Sequence, residues 1–141
     1  MRRRFIVLAL PCVLSACGGT PMRPTVALNG EWQGTFQTQT LGDGPGTFTL
    51  HLEQTGLTIS GTGTLTQNGI VDVPATWTGT LEGPSSPTTM QFTVGYAYGP
   101  FQCQGSFGGT LNVTTHDIDG SFTGQNCVRP FTGSLHGSKT Q

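Results

Sequence analysis

The sequence predicts an all-β protein, an eight-stranded antiparallel up-and-down β-barrel. Three observations predict it. Apolar and polar residues alternate with period two along most of the chain, the pattern of strands with one buried and one wet face. Gly (22 residues) and Thr (24) make up about a third of the 141 residues. Gly is poor in helices and Thr suits a half-buried pleated surface. The alternating runs number eight and are joined by short turn signals, so the last runs antiparallel to the first and can close on it.

The runs follow in order. Trp32, Gly34 and Phe36 share one face of the first. Phe48, Leu50 and Leu52 line the second, after the turn signal Gly42–Gly46. Leu57, Ile59, Gly61, Gly63 and Leu65 line the third, after Thr55-Gly56. Asn68-Gly69 suits a two-residue hairpin and leads into Val71, Val73, Ala75, Trp77, Gly79 and Leu81. Gly83–Pro87 separates this run from Met90, Phe92, Val94, Tyr96 and Tyr98. After Gly99-Pro100 come Phe101, Gly105, Phe107, Gly109, Leu111 and Val113. Thr114–Asp117 precedes Ile118, Gly120, Phe122 and Gly124, and Asn126–Arg129 precedes Phe131, Gly133 and Leu135.

An aromatic followed two residues later by Gly recurs at Trp32-Gly34, Trp77-Gly79, Phe107-Gly109, Phe122-Gly124 and Phe131-Gly133. Both members face inward, so a ring on one strand can lie over bare backbone on the next, which suits a curved sheet. Interlocking predicts three registers: Phe107 opposite Gly124, Phe122 opposite Gly133, and Trp32 opposite Gly133 to close the ring. The first of these sets Cys103 opposite Val128, beside Cys127 in the last loop.

Ahead of the barrel, Arg2, Arg3 and Arg4 precede an apolar run, Phe5–Leu14. The run is too short to span a bilayer, and the pair describes a secretory signal. Leu14-Ser15-Ala16-Cys17 resembles the bacterial lipobox. That resemblance implies cleavage before Cys17 and acylation of Cys17. The alternative is an ordinary cleaved signal with an incidental cysteine. Gly18 in place of Asp after the cysteine points, by the same resemblance, to the outer membrane. The expected organisation is a signal peptide at 1–16, a lipidated cysteine and flexible tether at 17–28, and a barrel domain at 29–141. Cys12 leaves with the signal, so Cys103 and Cys127 remain for one disulfide in an oxidising compartment; a metal pair or a reactive thiol is the competing reading. Without the signal, three basic residues face seven acidic ones, a net charge of −4. That balance argues against nucleic-acid binding and leaves membrane attachment to acyl chains.

With Gly30-x-Trp32 on its first strand, the eight-strand meander resembles the calycins, the lipocalin- and avidin-like barrels. The resemblance implies a barrel with a cup at one end, and transfers no particular ligand. The residues suggest no catalysis, metal or cofactor. His51, His116 and His136 lie apart on outward or turn positions, and no nucleophile elbow, phosphate loop or CxxC occurs. Trp77, Phe92, Tyr96 and Tyr98 are candidate ligand-binding residues. A tyrosine at a barrel mouth offers a ring and a hydroxyl; the competing reading is that the tyrosines plug the rim. Outward threonines, such as Thr62-Thr64-Thr66 and Thr76-Thr78-Thr80, suit either surface recognition, even of ice, or a sheet's wet face. Two roles are therefore expected: an envelope lipoprotein with a barrel for a small apolar or aromatic molecule, or an envelope protein–protein interaction module with a filled interior. The module would work through loops such as Leu41–Gly46 and Gly83–Pro87.

Overall fold

The computed structural model describes residues 25–39, 44–99 and 103–140. The signal segment, Cys17 and Phe101 fall outside them. Alternating residues with Thr-rich outer faces form eight strands: β1 Gly30–Thr38, β2 Gly46–Thr55, β3 Thr58–Gln67, β4 Ile70–Leu81, β5 Thr88–Tyr98, β6 Cys103–Val113, β7 Asp117–Gln125 and β8 Pro130–Lys139. Each pairs antiparallel with the next, and β8 closes on β1. No helix occurs among the described residues.

The inward face is the core. The aromatic member of all five aromatic-x-Gly pairs is buried. Phe107 faces Gly124 on β7, and Phe122 faces Gly133 on β8, as the ring-over-glycine rule predicts. The fit is tight: a Cβ on Gly124 would lie 2.6 Å from Phe131 Cζ. Outside, threonines meet in cross-strand pairs such as Thr49 and Thr64, whose hydroxyls are 2.9 Å apart. At the β3–β4 hairpin Asn68 and Gly69 take φ of +52° and +78°, the left-handed pair that a two-residue turn requires.

The closing register departs from the expectation. Trp32 faces Lys139, not Gly133, and Gly34 faces Gly137. The cause is global. Taken together, the eight registers give a total stagger of ten residues around the ring. With ordinary strand spacings that stagger tilts eight strands by roughly 40°, inside the usual range for barrels. The Trp32–Gly133 register would leave a stagger of about four residues and a tilt of roughly 20°, a narrower and more upright cylinder. The wider one leaves more room for the rings inside. The ring-over-glycine rule still holds at the seam with another partner: Phe48 packs over Gly34 and Gly137, where an added Cβ would come within 2.6 and 2.7 Å of its Cζ.

Three local expectations also change. The folded part begins before Asn29, because Val26 and Leu28, the end of the expected tether, are fully buried. Val71 is exposed although it lies in phase with Val73; Asp72 takes φ +54° and the β3–β4 register slips by one residue here, so the pleat is broken. Leu57 is also exposed, at the tip of the β2–β3 turn. Cys103 and Cys127 form a disulfide with Cα atoms 5.6 Å apart.

Candidate functional site

The two ends of the barrel are built differently. At one end, Thr25 bridges to Ser85, and the Val26 N–H donates to Pro84 O at 2.8 Å. Gln54 anchors the same strap: its Oε1 accepts from the Leu28 N–H at 2.8 Å, and its Nε2 donates to Val26 O. The Trp32 indole donates to Leu28 O at 2.9 Å. Val26 and Leu28 thus join Leu81, Met90, Leu111 and Ile118 in a solid core. The Gly83–Pro87 loop lies here, paired with the strap through Pro84 and Ser85.

At the other end no segment crosses the bore among the described residues. A cavity of about 120 Å³ lies between the ends of β1, β3–β4, β5 and β7–β8. Phe107, Phe122 and Phe131 form its floor; Phe36, Leu65 and Val73 its walls. Phe107 sits at the centre of the aromatic cluster, with ring centroids 4.8 Å from Phe122 and 6.1 Å from Tyr96. Tyr96 and Tyr98 are half-buried at the rim with their rings stacked, centroids 6.0 Å apart and planes at 23°. Tyr96 lies over Gly105, its bare partner on β6; a Cβ there would overlap the tyrosine ring. Burial, with the Tyr98 phenol beside it, pushes the Tyr96 hydroxyl up to about 12. It therefore stays a neutral donor at ordinary pH. The disulfide ties the start of β6, beside Tyr98, to the β7–β8 loop.

Four polar residues complete the mouth: Thr38, Gln67, Asn68 and Asn126. Thr38 is the one polar side chain buried in the core among the described residues. Gln67 Nε2 donates to Thr38 Oγ1 at 3.2 Å and to Gly44 O at 2.7 Å. Asn126 Oδ1 accepts from the Val128 and Arg129 N–H groups, both at 2.9 Å. No charged residue lines the cavity among those described.

The four expected binding residues therefore divide. Tyr96 and Tyr98 line the mouth. Trp77 and Phe92 do not; they lie deeper, fully buried, stacked with centroids 5.6 Å apart. The Trp77 indole N–H has no hydrogen-bond partner. Phe107 separates this layer from the rim, since it touches both Trp77 and Tyr96. Sequence reasoning missed Phe36, Leu65 and Val73, although each is near the Tyr98 end of its strand on the inward face, a position strand order alone supplies. It had no means to find Gln67 or Asn126, whose places depend on how the turns fold. His51, His116 and His136 are exposed, and no three metal-ligating groups meet among the described residues. His51 Nδ1 lies 2.6 Å from Glu31 Oε1 on the outer wall, where both side chains are largely solvated. Such a pair contributes little to stability. Comparison of the chain with known protein families, with curated proteins and with solved structures finds no match.

Proposed function

We propose that this protein is a lipid-anchored envelope barrel that holds a small apolar or aromatic molecule at its tyrosine mouth. The observation that supports it best is the asymmetry of the bore: one end is strapped and filled, while the other keeps an aromatic-lined hollow. A basic head, a short apolar run and Leu14-Ser15-Ala16-Cys17 support the anchor, and the closed meander agrees with the calycin resemblance. The role is binding, with no catalytic group invoked.

The strap adds an orientation. Seven residues lie between Cys17 and Thr25, a reach of at most about 29 Å, and Thr25 sits at the closed end. In this reading an acylated Cys17 tethers the barrel by its closed end, which favours a mouth turned toward the aqueous side, from which the guest arrives.

Native mass spectrometry of protein purified from its own host tests the ligand. A retained small molecule supports the reading, and repeated absence counts against it. Cys17→Ala should release the protein from membranes; a processed mutant that stays attached would end the anchor reading.

A second reading is an interaction module for another envelope protein. It is favoured by cavity size, because ligand pockets commonly run from about 300 to 1,000 Å³. Exposed Ile70, Val71 and Val128 at the same end also suit a protein contact. A pull-down from the native envelope that loses its partner on Val71→Asp and Val128→Asp would favour this reading over the first.

A further inference from the structure

The chemistry of the mouth narrows what it can hold. Size comes first. An apolar cavity of about 150 Å³ is enough for benzene, and this one is about 120 Å³ with an open top. It has room for one ring. An acyl chain would have to continue past Phe107, Phe122 and Phe131, which are themselves buried and close the floor.

Shape comes second. The floor and one wall are aromatic, and stacked or edge-on rings gain more from such surfaces than an aliphatic chain does. Charge is third. No charged side chain lines the cavity among the described residues, so an ionised guest would be desolvated without a counter-ion.

The hydrogen-bonding groups decide the rest. Gln67 donates from Nε2 to Thr38 Oγ1 and Gly44 O. Those two bonds orient the amide, and its Oε1 is the part left to accept from a guest. Asn126 is fixed the opposite way: its Oδ1 is taken by two backbone N–H groups, and its Nδ2 is left to donate. The mouth thus offers an acceptor on one side and a donor on another, around a hydrophobic floor.

We infer that the mouth selects a neutral single-ring aromatic bearing a hydroxyl or N–H group, with the ring over Phe107 and the polar hydrogen on Gln67 Oε1. This rests on the binding-barrel reading above.

Calorimetric titration of the purified full chain at pH 7 tests it with four probes: p-cresol, toluene, benzoate and 1-octanol. p-Cresol should bind one-to-one. Toluene, lacking the donor, should bind about fivefold more weakly, the worth of one net hydrogen bond. Benzoate and 1-octanol should bind at least about tenfold more weakly than p-cresol, from an unpaired charge and a poor shape. Gln67→Leu should bring p-cresol down to the affinity of toluene and leave toluene unchanged. Gly105→Ala, which drives the Tyr96 ring off its seat, should weaken both ring probes; its melting curve shows whether the barrel is intact. The inference is overturned if 1-octanol or benzoate binds as tightly as p-cresol, if Gln67→Leu leaves p-cresol unchanged, or if no probe binds. A molecule of another class retained from the host would keep the binding barrel and end this inference alone.

Discussion

The closed end and the open mouth use the same inward alternation and reach opposite results. At the closed end Leu28, Leu111, Val113 and Ile118 are fully buried, because the strap supplies a cap that the strands lack. At the mouth Phe36, Leu65 and Val73 keep 7–9% of their surface exposed, and Tyr96 and Tyr98 are half-buried. The inward residues at both ends are similarly apolar. Among the described residues, what differs is whether a piece of chain crosses the bore. An uncapped barrel leaves a hollow at its rim, and here the hollow is lined by rings and neutral amides. Stability is expected to concentrate at the strap and adaptability at the mouth.

That contrast can be broken first by truncation. Leu28→Ala should lower stability by about 2–5 kcal/mol, as large-to-small changes in packed cores do. Tyr98→Ala at the mouth should cost about 1 kcal/mol or less, as changes outside the packed core usually do. Thermal or denaturant unfolding checks both; equal losses would mean that the strap is not the stabilising cap.

The disulfide is the mouth's own staple. Replacing Cys103 and Cys127 with Ser should cost roughly 3 kcal/mol in the chain-entropy model. The loss should fall on the open end, so hydrogen exchange should rise first in the β7–β8 loop and last around Leu28. A uniform rise would show that the two ends do not behave as separate regions.

Between the ends lies the ring-over-glycine layer. Gly124→Val should crowd Phe107 and Phe131 and lower stability by about 1–3 kcal/mol, as overpacking does. An unchanged melting temperature would contradict the packing at this level.

The smallest effect concerns Tyr96. Its folded hydroxyl is held at about 12, above the ordinary tyrosine value of 10, mainly by burial. The unfolded chain therefore releases this proton first, and between these values it binds fewer protons than the folded one. Stability from this group is complete below pH 10 and falls as pH rises toward 12. Ultraviolet titration of wild type against Tyr96→Phe should show one late-ionising phenol lost in the variant.

Much of the fold is legible in the sequence because its rules are local. Period-two alternation around Phe48, Leu50 and Leu52 fixes which side chains face inward. Asn68-Gly69 specifies a tight turn through its backbone preferences. For neighbours in sequence, a ring and a glycine on facing strands fix a register, which is why the β6–β7 and β7–β8 pairings and the disulfide can be reasoned from residues. Tyr96 and Tyr98 are legible as rim residues because strand direction places them there.

The rest is decided by closure. The β1–β8 register is bound to the total stagger around all eight strands, and that stagger depends on the volume of rings enclosed. The ring-over-glycine rule is met at more than one register, by Trp32 opposite Gly133 or by Phe48 over Gly34 and Gly137, so local matching does not choose between them. The strap is equally non-local: Thr25–Leu28 is too short to announce itself, and its Val26 and Leu28 are buried because Gln54, Pro84 and Trp32 wait at the end of the bore. The same holds for Gln67 and Asn126, polar turn residues in sequence that become the lining of a mouth only when four hairpin ends converge. Sequence alone determined the strands and their inward faces, because those follow from neighbours along the chain. Tertiary structure decided the tilt, the capped end and the hollow, because those depend on how the volume of the whole interior is filled.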